Sequence, residues 1–477
     1  MKSSGEAKLK NFCDGAPSRA FGNSTEFLTL ESVESVLATH TVPPLYIEDY
    51  IDTELYVSHG RSSGTSAIVS TGGEIYGQSP SQYPLKYATP ECSSPAELTT
   101  HMRAGEIIMN TALAGLARHV GKSDVVFRRS GNPDVYRNGR RVISEHSLGY
   151  RESYTSVNLF SELRDNKSSI LEINPEAKFF ADFLALRKII DGAGMVADGH
   201  YSIAQKPGAI NYRKFGEQTT HGNKQPFAQK EPSRLMVNSG EASKSDWQTT
   251  FVVSLTSLVL RLLEHSTYPG HLRLADPNRA VRDLSKDPHS LVRLESGVQM
   301  RGIDMLNEIV DVAIEETVLA GQDIPIYEEQ AAYAFTQFRN DLDTVSLADN
   351  DVTALADRID WAARFRDLQE LGATSQTITS ADTKQMNRDL RWSSIKNDPA
   401  RQYYHEMGHA VLARNLQIPR VPQGTRAKPR LEITRRLQAA NELSVVVWDT
   451  VMSTQRVKYE LPNPLSTDIP TMRGFYK

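Results

Sequence analysis

The spacing that most directly suggests chemistry lies near the C-terminus, where His405-Glu406-Met407-Gly408-His409 fits the pattern H-E-x-x-H, followed by Ala410-Val411-Leu412. On a helix the two histidines fall at i and i+4 on one face. Both imidazoles can then reach one zinc ion, with the glutamate as general base for zinc-bound water. A third ligand has to come from elsewhere, and Glu432 and Glu442 are the candidates. A solvated helix face explains the same residues more simply. A second stretch, Tyr83 to Glu106, brings polar side chains to a helix start. Pro84 to Pro90 reads as an extended segment with the β-formers Tyr87 and Thr89, and Ser94-Pro95-Ala96-Glu97 supplies an N-cap, a first-turn proline and an early acid. A third, from Arg128 to Arg141, is a loop rich in Gly, Asn and Arg that could meet a phosphate or an acidic partner, though a solvated turn is the simpler reading.

The elements that must position these residues follow from periodicity. Residues 96–120 carry an apolar helical face through Leu98, Met102, Ile108, Leu113 and Leu116. Thr25 to Leu30 is β-like, and Ser66 to Tyr76 reads as a hairpin turning at Thr71-Gly72-Gly73. Residues 31–60 suggest a helix, then a Pro43-Pro44 break and an acidic stretch. Val125-Val126-Phe127 suggests a buried strand. Helical patterns recur over Ala177–Gly194, Thr249–Glu264, 303–320 and 350–371, whereas 196–232 are polar with poor periodicity.

Composition narrows the classes. A chain of 477 residues with 39% hydrophobic and 23% charged residues can bury a large core. A net charge of −4 offers no global attraction for nucleic acid or anionic membranes. Cys13 and Cys92, the only cysteines, support neither a disulfide framework nor a multi-cysteine zinc site. The most apolar run, Phe251 to Leu263, is broken by Ser254, Thr256, Ser257 and Arg261, so no membrane span is expected. The first residues lack the apolar core of a signal peptide, so the expected location is cytoplasmic.

Pro84 with Tyr87-Ala88-Thr89-Pro90-Glu91, and Thr100-His101-Met102-Arg103-Ala104-Gly105-Glu106, resemble the P-E-Y-A/S-T-x-E and T-H-x-R-A-G-E-like segments of the Pup ligase and depupylase family (proteasome accessory factors). That family belongs to the glutamine-synthetase-like carboxylate–amine ligase superfamily. Asp276 to Asp287 is similar to its N-P-x-R-A-I-R-x-V-S-x-D segment. Weaker likenesses lie at Ser58–Ser63, Asp191-Gly192-Ala193-Gly194, Arg358–Trp361, Thr425-Arg426-Ala427 and Val445–Asp449. Ser58–Ser63 and the short interval around it point to the ligase branch. The resemblance implies an α/β (α+β) fold: a large domain with a curved, mostly antiparallel sheet packed on helices, plus a small C-terminal domain. The expected division is a leader at 1–20, a large domain at 21–400 and a small domain at 401–477.

The resemblance also shows departures. Ser24, Gln78, Lys86, Arg151 and Met236 stand where the family carries Glu, Asp, Glu, His and His, the residues that bind metal or act as catalytic base. Serine cannot replace a carboxylate ligand, glutamine cannot accept the proton, and Lys86 and Arg151 repel a divalent cation. Glu26, Tyr76, Glu91, Glu152 and Lys230 remain as the cofactor-binding candidates. The reading favoured is therefore a non-catalytic binding or accessory subunit without a cofactor. It would act with a protein partner, either an active paralogue in a heterodimer or a small modifier protein, and with neither nucleic acid nor membrane. An active ATP-dependent carboxylate–amine ligase or amidase using Mg-ATP is the alternative, with Tyr76, Glu26, Glu91 and Glu152 re-forming a metal site. A zinc hydrolase at His405, Glu406 and His409 is the second.

Overall fold

Period-two patterning writes the first strand. In β1 (Phe21–Thr29), Phe21, Asn23, Thr25 and Phe27 are buried while Gly22 and Ser24 are only partly covered. The computed structural model describes residues 19–29, 56–59, 66–76, 85–119, 127–128, 134–137, 140–143, 150–156, 159–160, 174–197, 200–205, 208–213, 225–231, 234–319, 324–374, 378, 384–385, 388, 392, 399–404, 420–440, 442, 444–447, 449–453, 455, 457–470 and 473–474. The expected helix after residue 30, Gln78 and the His405–His409 motif lie outside these residues.

By its internal contacts the chain forms two units. One comprises 1–19, 145–392 and 398–406, and the other 20–144, 393–397 and 407–477. The linear division at 400/401 expected from the sequence differs from this grouping, because the C-terminal residues gather with the N-terminal strands.

In the second unit, β2 (Tyr56–His59), β3 (Ser66–Val69), β4 (Glu74–Tyr76) and β5 (Leu85–Ala88) join β1 in an antiparallel sheet of order β1-β5-β4-β3-β2. The β3–β4 hairpin turns where Thr71-Gly72-Gly73 predicted. Helix α1 (Pro95–His119) begins as the sequence indicates: Ser94 Oγ accepts from the Glu97 N–H at 3.2 Å, and Glu97 accepts from the Ser93 N–H at 2.7 Å. β6 (Phe127–Arg128) pairs with the end of β1. The stretch expected to be a loop up to Arg141 instead contains a hairpin, β7 (Asp134–Arg137) on β8 (Arg140–Ile143), with Arg137 opposite Arg140. The intervening Asn138-Gly139 is a dipeptide suited to a two-residue hairpin connection, a signal the sequence reading passed over.

The first unit starts with β9 (Tyr150–Thr155). Helices α2 (Pro175–Leu186) and α3 (Lys188–Asp191) follow, where one helix was expected, then the pair β10 (Met195–Ala197) and β11 (His200–Ser202). β12 (Phe227–Glu231) and β13 (Arg234–Val237) extend β9 in the antiparallel order β12-β13-β9. Phe180 of α2 packs against Phe160, Phe183 and Phe227 in an aromatic core, stacked on the first two and edge-on to the third.

Helix α4 (Asp246–Glu264) is buried along nearly its whole length. The polar residues that break its apolar run are all satisfied. Ser254 and Thr256 bond back to Thr250 and Val252 carbonyls at 2.8 Å, and Ser257 and Arg261 meet the buried Glu328 carboxylate at 2.6 Å each. α5 (Pro277–Lys286) is capped by Asp276, whose Oδ1 accepts from the Arg279 N–H at 3.1 Å. The hairpin β14 (Leu291–Arg293) with β15 (Gln299–Arg301) leads to α6 (Gly302–Leu319) and α7 (Ile326–Leu342). The helical pattern expected from 350 yields α8 (Asp360–Gln369) alone. Ahead of it, Asn350 has φ +61° and Ser346 bridges Asp351, which spends Val352 and Leu355 on buried turns.

The chain then returns to the second unit with α9 (Ala427–Ala439) and the antiparallel sheet β16 (Ser444–Val447), β17 (Thr450–Ser453), β18 (Val457–Glu460) and β19 (Arg473–Gly474). Leu431, Ile433 and Leu437 of α9 pack with Val446, Val451, Leu461 and with Ile68 of β3 in one core. Among the described residues no helix is long and apolar enough to cross a membrane.

Candidate functional site

Register decides which side chains share a face. Ser24 and Glu26 of β1 lie opposite Ala88 and Lys86 of β5, which in turn lie opposite Glu74 and Tyr76 of β4. Strand alternation puts all six on one face, in two cross-strand rows, with Thr25, Tyr87 and Ile75 on the other. One row reads Glu26, Lys86, Tyr76. Within it the Lys86 Nζ stands 2.7 Å from Glu26 Oε1, and both residues are buried, at 3% and 8% exposure. Between the rows Ser24 Oγ and Tyr76 Oη are hydrogen-bonded at 3.0 Å. Thus Ser24, Glu26, Tyr76 and Lys86, separately singled out in the sequence, form one constellation. Glu74 belongs to it too, at 4% exposure, and was missed. Its place two residues before Tyr76 in a hairpin strand was the available signal.

The residues present do not fit a magnesium ion on this face. Such an ion wants carboxylate and hydroxyl oxygens in a tight octahedron. Here an ammonium already occupies the Glu26 carboxylate, and a second cation beside it meets like-charge repulsion in a buried setting.

The opposite face explains the motif that carried the resemblance. Tyr87 packs against α1 at Gly105, where a Cβ would sit 2.2 Å from the ring, and its hydroxyl is 3.1 Å from Thr71 Oγ1. Burial raises that phenol well above its ordinary value. His101 is likewise core: burial lowers it from 6.5 to about 3, against a hydrogen bond to the Arg420 backbone, and so keeps it neutral. Arg103 is fully buried and pairs with Glu106 at 2.6 Å. Glu91 joins two guanidiniums, Arg426 at 2.9 Å and Arg430 at 2.8 Å, while its carbonyl accepts from Thr425 Oγ1 at 2.7 Å. The Thr425-Arg426-Ala427 segment and the end of the Tyr87–Glu91 segment are therefore two halves of one clamp.

In the first unit, Arg151, Ser153 and Thr155 of β9 share a face with Arg234 and Met236 of β13. Arg234 Nη2 reaches Ser153 Oγ at 3.4 Å, and Met236 is 7% exposed. Arg151 and Met236, at the two positions where the resemblance implies histidine, stand on the same side. Glu152 points the other way into the core. Arg187 binds both its oxygens, at 2.8 and 3.0 Å, and the Tyr154 hydroxyl donates to it at 2.6 Å. Arg187 also holds Asp191 at 2.9 Å. Glu91 and Glu152 are thus engaged as buried counter-ions, whatever else they do. Lys230 lies in β12 at the bulge between Gln229 and Glu231, its side chain outside the described part.

The Gly192-Ala193-Gly194 turn is held entirely by protein. Gly192 and Ala193 carbonyls accept from Gln248 and Arg364 at 3.0 and 3.2 Å, and the Ala193 N–H donates to Glu241 at 2.9 Å. Gly194 has φ +66° and faces the Tyr201 hydroxyl, where a Cβ would be 2.1 Å away. Close packing accounts for glycine at both positions. Among the described residues no group of three or more His, Cys, Asp or Glu side chains is arranged to hold a metal ion.

The sequence profile of the family described as Pup-ligase protein matches residues 30–452. The Pup–protein ligase of Renibacterium salmoninarum is 25% identical over 457 residues, covering 90% of this chain and 90% of that protein. Two solved structures share the fold. The Pup ligase PafA in complex with the prokaryotic ubiquitin-like protein Pup superposes with a TM-score of 0.69 at 19% identity, over 95% of this chain and 90% of that one. PafA in complex with ADP gives a TM-score of 0.66 at 19% identity, over 85% and 88%.

Proposed function

The chain belongs to the Pup-ligase family, and from that membership we propose that it is a non-catalytic member, a binding or accessory protein that keeps the cradle for a small modifier protein. Its partner is that modifier, or an active paralogue with which it pairs in the cytoplasm. The observation that carries the reading is the buried contact between Lys86 and Glu26. An ammonium seated on the Glu26 carboxylate removes a magnesium position of the kind on which transfer of a phosphoryl group to a glutamate side chain depends. Arg151 and Met236 in place of imidazoles support the same conclusion from the other unit.

The test is direct. Purified alone and given Mg-ATP, Pup and an acceptor protein, the chain should consume no nucleotide at an enzyme-like rate and form no conjugate, yet retain Pup in a calorimetric titration. ATP turnover with conjugate formation overturns the proposal. It would instead establish the second reading, an ATP-dependent carboxylate–amine ligase using Mg-ATP. That reading has one specific support: Glu74, a further carboxylate on the same face as Glu26 and Tyr76.

A further inference from the structure

We infer that one internal water molecule binds between Asp182 and Arg273 in the first unit, completing their ion pair and fastening α2 to the stretch 273–275 beside the β14–β15 hairpin. Neither residue belongs to the sheet faces described above.

Arg273 lies between α4 and α5, and its backbone is paired with the hairpin. The Glu295 N–H donates to the Arg273 carbonyl at 2.9 Å, Leu274 bridges Leu294, and the Ala275 N–H donates to the Arg293 carbonyl at 2.9 Å. The Arg273 side chain crosses to α2. There Nη1 donates to the Pro175 carbonyl and Nε to Asp182 Oδ2, each at 3.2 Å. The Leu274 N–H donates to the same Oδ2 at 3.1 Å. One carboxylate oxygen is therefore engaged twice. The other, Oδ1, is buried without a hydrogen-bond partner, and so is Arg273 Nη2. Asp182 is 1% exposed and Arg273 7%, which keeps both out of bulk solvent.

An arginine that grips a carboxylate two-handed offers parallel N–H groups, one to each oxygen. On the edge of the guanidinium that faces Asp182, Nε has its oxygen and Nη2 does not. A donor and an acceptor are thus orphaned on the same buried ion pair, each at the cost of its lost hydration. A single water satisfies both, because its oxygen accepts from Nη2 while one of its hydrogens goes to Oδ1. Buried waters bind at such places, bonded to polar groups that the protein leaves unsatisfied. Electrostatics favour the same arrangement. Burial pushes the Asp182 carboxyl up to about 7, although Arg273, the Leu274 N–H and Lys178 pull it down. Lys178 is itself held by Glu295. A neutral acid would leave the Arg273 guanidinium buried without its counter-ion. A hydrogen bond from water to Oδ1 favours the carboxylate and keeps the pair charged.

The test is a high-resolution crystal structure of the full chain, with long-lived internal waters counted by oxygen-17 relaxation dispersion. Wild type should show one density peak within hydrogen-bond distance of both Oδ1 and Nη2. Asp182→Leu/Arg273→Met, which replaces both charges by apolar groups, should hold one long-lived water fewer. Arg273→Lys keeps the charge but lacks the second N–H arm, and it should lose the peak and exchange the Leu274 amide at least about ten-fold faster. A wild-type structure in which Nη2 bonds Oδ1 directly, or in which no density lies between them, overturns the inference. So does an unchanged water count in the double variant. Unchanged Leu274 exchange in Arg273→Lys overturns the fastening. If neither variant folds, the wild-type density decides alone.

Discussion

Glu91 shows how a residue picked for chemistry can be held by architecture. Burial alone would raise its carboxyl, but Arg430 and Arg426 outweigh burial and hold it at about 2, below the ordinary 4.5. The sign of the pH effect follows. Above pH 4.5 both folded and unfolded chains carry the carboxylate, and its stabilising interaction is complete. As pH falls from 4.5 towards 2, the unfolded chain binds the proton first and that stability is lost. Glu91→Gln leaves two buried guanidiniums without their counter-ion, and we expect it to cost about 3–5 kcal/mol at pH 7 in urea unfolding. The difference from wild type should shrink as the pH approaches 2. A difference that stays constant across that range would show that the clamp does not work through the Glu91 charge.

Helix α1 and strand β5 meet through a missing side chain. On an exposed helix, Gly→Ala gains up to about 1 kcal/mol. At Gly105 the added carbon would sit within 2.3 Å of two carbons of the Tyr87 ring, so Gly105→Ala should destabilise by about 1–3 kcal/mol through forced repacking. Pairing it with Tyr87→Ala should recover part of that loss in a double-mutant cycle. Additive effects would show that the ring and the helix do not meet as described. The same contact explains why Tyr87 and Gly105, 18 positions apart, were together the most recognisable feature of the sequence. They are a packing pair, and the polar row of Glu26, Lys86 and Tyr76 lies on the reverse of the same strand.

For the molecule as a whole, the C-terminal residues complete the unit that the N-terminal strands begin. Leu431, Ile433 and Leu437 cover Ile68, and Arg426 and Arg430 hold Glu91. A chain truncated after residue 404 should therefore lose amide protection throughout β1, β3, β4 and β5 in hydrogen exchange, while α4 and α5 keep theirs. Protection retained in β1 to β5 would instead favour an independent small domain starting near 401, the division that the linear order suggested.

Much was legible without coordinates. The long amphipathic helices, the Thr71-Gly72-Gly73 hairpin and the cap at Ser94 depend on residues within a turn or two of one another, so local patterning and capping chemistry suffice to place them. The substitutions at Ser24, Lys86, Arg151 and Met236 could also be named from the sequence, because each is a matter of residue type. What the tertiary structure alone decided was company. Glu26 meets Lys86 across 60 residues, Glu74 joins them through the register of β4 on β5, and Glu152 turns inward to Arg187 while its neighbour Arg151 turns outward. A shift of one residue in any of these registers would move every side chain of the strand to the opposite face. Strand pairing is set by contacts between distant segments, and no property of the local sequence contains it.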